Sequence, residues 1–179
     1  MIRRESALLI VIDIQGNLFQ AMPDKENLLV NTVKMIKGAK VFNLPILATE
    51  QMPEKLGPTI PPVRRELNGV EPIGKESFSC WQNNHFKEKL EALGRREAII
   101  IGIENHVCVY QTAIDLIEND YCVYIVTDAV SSRTGENCRT GLAAMKSAGA
   151  YLTSTEMILF ELLRNSGDAQ FKEIHKIVK

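Results

Sequence analysis

The chain has 179 residues, with 21 Lys and Arg against 22 Asp and Glu and a formal net charge of −1. At roughly 150 residues per domain it is read as a single domain, 1–179, and a domain of this size buries about 70% of its unfolded surface without disulfide staples. Near-neutral charge leaves no large footprint for nucleic acid or an anionic membrane. No apolar run approaches 18 residues and residues 1–6 lack a secretory h-region, so secreted and membrane-spanning readings also fall away. The four cysteines, Cys80, Cys108, Cys122 and Cys138, form no Cys-x-x-Cys pair and read as reduced thiols of a cytoplasmic protein.

In chain order, the first element is a continuous apolar run at 7–12 (ALLIVI), followed by a helical pattern over 26–42 with Leu29, Val33, Ile36 and Val41 at helical spacing. A shorter apolar run follows at 45–49. Residues 51–73 then hold five of the seven prolines and read as a long surface excursion with one short helix near 64–67. A helix over 82–93 ends at Gly94, and an apolar run at 98–103 (AIIIGI) leads into a helix over 106–119. The run at 122–126 precedes a helix over 136–148 that ends at Gly149. A last short run at 151–154 precedes two closing helices, 156–164 and 169–178. Strands that are apolar throughout are buried on both faces, and strands alternating with helices form an α/β domain. The expected architecture is therefore a three-layer αβα Rossmann-like sandwich around a mainly parallel sheet.

In such a sheet ligands bind beyond the carboxyl ends of the strands, so the residues following each run belong together. These are Asp13-Ile14-Gln15, Thr49-Glu50-Gln51, Glu104-Asn105-His106-Val107-Cys108 and Thr127-Asp128-Ala129, with Ile73-Gly74-Lys75 emerging from the proline-rich stretch. Cys108 falls in the first turn of its helix, where free backbone N–H groups and a nearby Lys75 ammonium would stabilise a thiolate. Asp13 is placed to take the thiol proton and pass it to a leaving group. Each residue alone also has an ordinary explanation: a cysteine as a small buried hydrophobe, an Asp as a turn residue, a Lys as surface. No G-x-G-x-x-G follows the first run, and neither a P-loop nor a G-x-S-x-G elbow occurs.

Four segments taken together, LLIVIDIQ at 8–15, GKESFS at 74–79, GIENHVCVYQTAID at 102–115 and VTDAVSSR at 126–133, resemble the isochorismatase-like cysteine hydrolase superfamily over residues 7–163. The resemblance implies a triad of Asp13 as general base and acid, Lys75 as electrostatic partner and Cys108 as nucleophile. It further implies a cis peptide at Ile103–Glu104 and an oxyanion hole built from the N–H groups of Glu104 and Cys108. The nicotinamidase-like branch carries a metal-binding Asp-x-His pair after the second strand. Here that place reads Thr49-Glu50-Gln51, and His85, His106 and His175 have no ligand spacing, so no metal and no cofactor are expected.

The retained Cys108 and the segment following Thr49 are similar to the small YcaC-like hydrolases. They imply a hydrolase of a small amide or related C–N substrate working through a thioester. The alternatives are an isochorismatase-type vinyl ether hydrolase, a non-catalytic binding or scaffold member of the fold, and a redox-sensing thiol at Cys108. Gln15, Phe19, Gln51, Phe78, Trp81, His106 and Tyr110 are the candidate pocket residues, with His106 also a possible alternative general base. The expected partners are a small-molecule substrate and further copies of the chain in a homo-oligomer, its contacts made by the two C-terminal helices, with no nucleic acid and no membrane.

Overall fold

The first apolar run is buried at every position, and its side chains divide strictly between two cores. Ala7, Leu9 and Val11 enter one, whereas Leu8, Ile10 and Ile12 enter the other. A strand apolar on both faces needs cover on both, and the computed structural model, which describes residues 1–179, supplies it. Six strands, β1 Ala7–Ile12, β2 Ile46–Gln51, β3 Ile73–Lys75, β4 Glu97–Ile103, β5 Cys122–Ser131 and β6 Tyr151–Thr153, form one sheet in the order β3-β2-β1-β4-β5-β6. Every pairing is parallel, so the sheet is wholly rather than mainly so.

The helices are α1 Gly16–Gln20, α2 Lys25–Val41, α3 Pro53–Leu56, α4 Pro61–Glu66, α5 Asn84–Ala92, α6 Tyr110–Glu118, α7 Gly135–Ser147, α8 Thr155–Leu163 and α9 Phe171–Val178, with a π-helical turn at Asn105–Val109. The first core takes Met35 and Ile36 from α2, Val63 from α4, Leu159 and Leu162 from α8 and Ile174 from α9. The second takes Phe86 and Leu90 from α5, Leu116 from α6 and Met145 from α7. These two helical layers on one sheet are the αβα sandwich read from the sequence.

Three departures bear on the site. First, Ile73–Lys75 is a strand, edge-paired with β2 so that Gln51 lies opposite Lys75. Second, β5 continues past Val126 to Ser131, because a register shift between Ile100 and Gly102 lets the two strands keep pairing. Gly102 is required there: its φ is 135°, and a Cβ would lie 2.1 Å from the Ile12 carbonyl oxygen. Third, the proline-rich excursion is pinned rather than loose. It carries α3 and α4, and Ile60 N–H donates to the Ile14 carbonyl at 3.0 Å. The Glu50 carboxylate accepts from Thr59 N–H at 2.6 Å and from its Oγ1 at 2.7 Å, fastening the excursion to the end of β2.

The chain runs outward through β1, β2 and β3 and then returns to start again beside β1 with β4. The sheet order reverses at that β1–β4 boundary, and a crevice for ligands lies at the carboxyl ends of strands at such a point.

Candidate active site

Asp13 is the first residue beyond β1 and takes a left-handed conformation, φ 53°, which Asp tolerates better than most side chains. Its carboxylate is fully buried. Thr49 Oγ1 donates to Oδ1 at 2.7 Å, and Lys75 Nζ donates to Oδ2 at 2.8 Å. Lys75, at the end of β3, also donates to Gln51 Oε1 at 2.7 Å and to the carbonyls of Phe78 and Ser77 at 3.0 and 3.2 Å. Burial alone would depress the Lys75 pKa, but the negative charge of Asp13, with further contributions from Cys80 and Cys108, outweighs it and raises the value. The ammonium is therefore a fixed charge at neutral pH.

Beyond β4, Cys108 sits in the π-helical turn, where Val109 N–H reaches back to the Glu104 carbonyl at 3.2 Å. Such turns recur at functional sites. The thiol is only 6% exposed, and burial, followed by the negative charge of Asp13, pushes its pKa up to about 12, with Lys75 pulling the other way. Burial and the charge of Asp13 thus favour the protonated thiol, against the expected thiolate. Cys80, read as an ordinary thiol, is in fact fully buried beside the pair. Its sulfur lies 3.7 Å from Thr49 Oγ1, and burial raises its pKa to about 11.

The Ile103–Glu104 peptide is cis, at the bond the family resemblance implies. The Glu104 N–H donates to no acceptor within the chain, which leaves it free for an external oxygen. The Glu104 carboxylate is held by Arg133 Nε at 2.8 Å, an ion pair that sequence reasoning did not find.

The expected pocket residues separate. Gln15 is spent as a clamp: its Nε2 donates to the carbonyls of Gly57 at 2.7 Å and Gln51 at 3.0 Å, while its Oε1 accepts from Gln51 N–H at 2.7 Å. Gln51 is equally occupied, between Lys75 and the Glu76 carbonyl, and serves to hold the cation. Phe19 packs in the first core, across the sheet from the core that contains Cys108. Trp81 packs edge-on against Tyr121, which follows the far end of α6 from Cys108, and Lys87 lies over its ring. Phe78 is exposed and contributes its carbonyl to Lys75. His106 Nδ1 is 2.9 Å from Ser132 Oγ, and the carboxylate whose charge acts on the thiol is that of Asp13.

Tyr110 lines a concavity of about 210 Å³ with Ser79 and Asp115. Cys108 lines none of the larger concavities of the chain. Asp128, another strand-end candidate, is structural: its Oδ1 accepts from Thr155 N–H at 2.8 Å at the start of α8. No group of three or more His, Cys, Asp or Glu is arranged to hold a metal ion, and no helix is long and apolar enough to cross a membrane.

Comparison with known proteins gives this geometry a family. The isochorismatase domain matches residues 7–157. Isochorismatase domain-containing protein 2A of Mus musculus is 34% identical over 176 residues, covering 98% of this chain and 84% of that protein. The MAR1 ribonuclease structure from Caenorhabditis elegans superposes with a TM-score of 0.93 at 31% identity, covering 99% of this chain and 91% of that one. The YcaC gene product of Escherichia coli, described as an octameric hydrolase of unknown specificity, superposes equally well, with a TM-score of 0.93 at 25% identity, covering 98% of this chain and 89% of that one. A domain match running from β1 into α8, together with relatives that align along almost the whole chain, makes this protein a member of the isochorismatase family of αβα hydrolases.

Proposed function

We propose that the protein hydrolyses a small amide or related C–N bond, with Cys108 as nucleophile, Asp13 as general base and acid, and Lys75 as the fixed countercharge. The observation that carries this reading is a fully buried Asp13–Lys75 ion pair whose carboxylate acts directly on the Cys108 thiol. Thr49 and Lys75 hold the carboxylate in one orientation, and its charge is the largest influence on the Cys108 thiol after burial.

The raised thiol pKa sets the order of events. Cys108 stays protonated until substrate arrives, and its proton passes to Asp13 as sulfur bonds to the carbonyl carbon, so no free thiolate builds up. The developing oxyanion is received by the N–H groups of Glu104 and Cys108. Asp13 then protonates the departing amine. It next takes a proton from the water that cleaves the thioester, which regenerates the thiol. Lys75 supplies a fixed positive charge beside the carboxylate throughout.

Cys108 borders none of the larger concavities in the single chain, and the octameric description of YcaC supports a homo-oligomer in which a neighbouring subunit walls the substrate pocket. The test is turnover of a panel of small amides, with mass detection of an acyl adduct on the Cys108-containing peptide. Replacing Cys108 with Ala abolishes both, and unchanged amide turnover in that variant overturns the assignment. An RNA oligonucleotide belongs in the same panel because of the likeness to MAR1 ribonuclease. RNA cleavage that survives Cys108→Ala, with no amide turnover in the parent, would place the activity with that neighbour instead.

A further inference from the structure

Helix α2 carries aliphatic side chains on two faces. Leu28, Met35 and Ile36 enter the first core and the half-buried Leu29 packs against it, but Val30 is 49% exposed and Val33 is only half-buried. A surface helix ordinarily turns polar residues outward. Here the outward aliphatics form the floor of a groove of about 690 Å³ between α2 and α9, with Pro62 and Ile177 along its sides. That volume lies in the range of roughly 300–1,000 Å³ typical of small-molecule sites.

The groove is chemically divided along its length. Leu29, Val30 and Val33 lie in the N-terminal half of α2, and Lys37 and Lys40 follow one to two turns later beside Val41, with Lys176 opposite on α9. Lys37 is loosely shared with Glu66 at 3.5 Å, whereas Lys40 and Lys176 make no salt bridge. Lys34 is turned to the Val178 carbonyl at 2.7 Å, and Glu173 is the single carboxylate on the rim. This positive charge is local, since the whole chain carries −1. An aliphatic trough that ends in unpaired ammonium groups complements a molecule with a hydrocarbon tail and an anionic head. A second copy docking face to face would instead set the same lysines against one another.

We propose that the α2–α9 groove binds a single-chain anionic amphiphile of the alkyl carboxylate class, the chain lying over Leu29, Val30 and Val33 and the carboxylate between Lys40 and Lys176. The site lies on the helical face opposite the one that holds Cys108 and is independent of the proposed hydrolysis.

The probe is sodium decanoate, titrated calorimetrically into the intact protein below its micelle concentration, with decyltrimethylammonium as the charge-reversed control. Saturable one-to-one decanoate binding is expected, at least tenfold tighter than the control. A Lys40→Glu, Lys176→Glu double variant weakens it at least tenfold, and Val30→Glu, at an already exposed position, abolishes it. Both variants should retain the parent circular dichroism spectrum. If one does not fold, the other variant decides. Equal binding of both amphiphiles, absence of saturation, or decanoate binding indifferent to the substitutions overturns the proposal. So does self-association that Val30→Glu disrupts while decanoate fails to bind.

Discussion

The Asp13–Lys75 pair can be tested as a unit by a double-mutant cycle. Lys75→Met removes an ammonium that donates to Asp13, Gln51 and two carbonyls, and leaves a fully buried carboxylate with Thr49 as its remaining side-chain donor. Breaking a buried pair from one side costs about 3–5 kcal/mol, because the other charge stays buried without its partner. Each kcal/mol shifts Tm by about 2–4 °C in a chain of this length, so Lys75→Met should lower Tm by about 6–20 °C. Asp13→Asn destabilises in the same sense by leaving the ammonium among neutral acceptors only. When both are replaced no buried charge is left alone, so the double variant should be more stable than the sum of the singles allows, by about 2–3 kcal/mol. Urea unfolding of the four proteins at pH 7 reads the cycle. Additivity within about 0.5 kcal/mol would refute the view that each charge is present chiefly to satisfy the other.

Alkaline pH should unfold the protein through its buried thiols. Burial raises Cys80 to about 11 and, joined by the charge of Asp13, Cys108 to about 12, against 9.0 for an ordinary thiol. The unfolded chain therefore loses these protons first, so the stability the thiols contribute is complete below pH 9 and disappears as pH rises through 11–12. Lys75, also raised, acts in the same direction. Between pH 8 and 10.5 each thiol should account for about 2 kcal/mol of lost stability in urea titrations, and Cys80→Ala should flatten the decline; an unchanged slope in that variant contradicts the burial argument. A further prediction concerns Thr49, whose hydroxyl donates to Asp13 Oδ1 at 2.7 Å. Thr49→Val keeps the shape and removes a hydrogen bond to a charged group, worth about 1.5–3 kcal/mol. Stability and turnover should both fall, KM should stay level, and Thr49→Ser should restore all but the lost methyl packing. A Thr49→Val enzyme with parental turnover would remove Thr49 from the site.

The three-layer fold was legible because its central strands are written as unbroken apolar runs. Ile99, Ile101 and Ile103 serve one core while Ala98 and Ile100 serve the other, a pattern only a doubly covered strand needs. The short edge strand Ile73–Lys75 had no such mark. It has one apolar side chain in three positions, and its conformation comes from pairing with β2 across the proline-rich excursion. The polar residues Thr127 and Asp128 looked like the end of β5, but their side chains are consumed at a distance. Thr127 Oγ1 donates to the Thr153 carbonyl at 2.9 Å, and Asp128 receives the first turn of α8. A strand that ends in polar residues and a strand that continues with long-range partners for them look identical locally.

The same distinction explains the site. Asp13, Lys75 and Cys108 could be grouped from sequence because each follows or ends a parallel strand, and parallel strands end together. What those residues experience could not be read that way, since it depends on packing between segments far apart in the chain. A cysteine opening a helix suggests a thiolate when only the local amides are visible. Once β1 brings a buried carboxylate near it, desolvation and the charge of Asp13 outweigh the opposing pull of Lys75 and favour the protonated thiol. Phe19 shows a related limit: nearness in sequence to a motif does not specify which side of the sheet a side chain enters, and Phe19 enters the first core while Cys108 and Trp81 enter the second. Gln15 and Gln51 lie near the site as expected, yet their carboxamides are saturated by backbone and by Lys75. With these groups already bonded within the chain, the proposed reaction at Cys108 leaves substrate selectivity to other side chains or to a neighbouring copy of the chain.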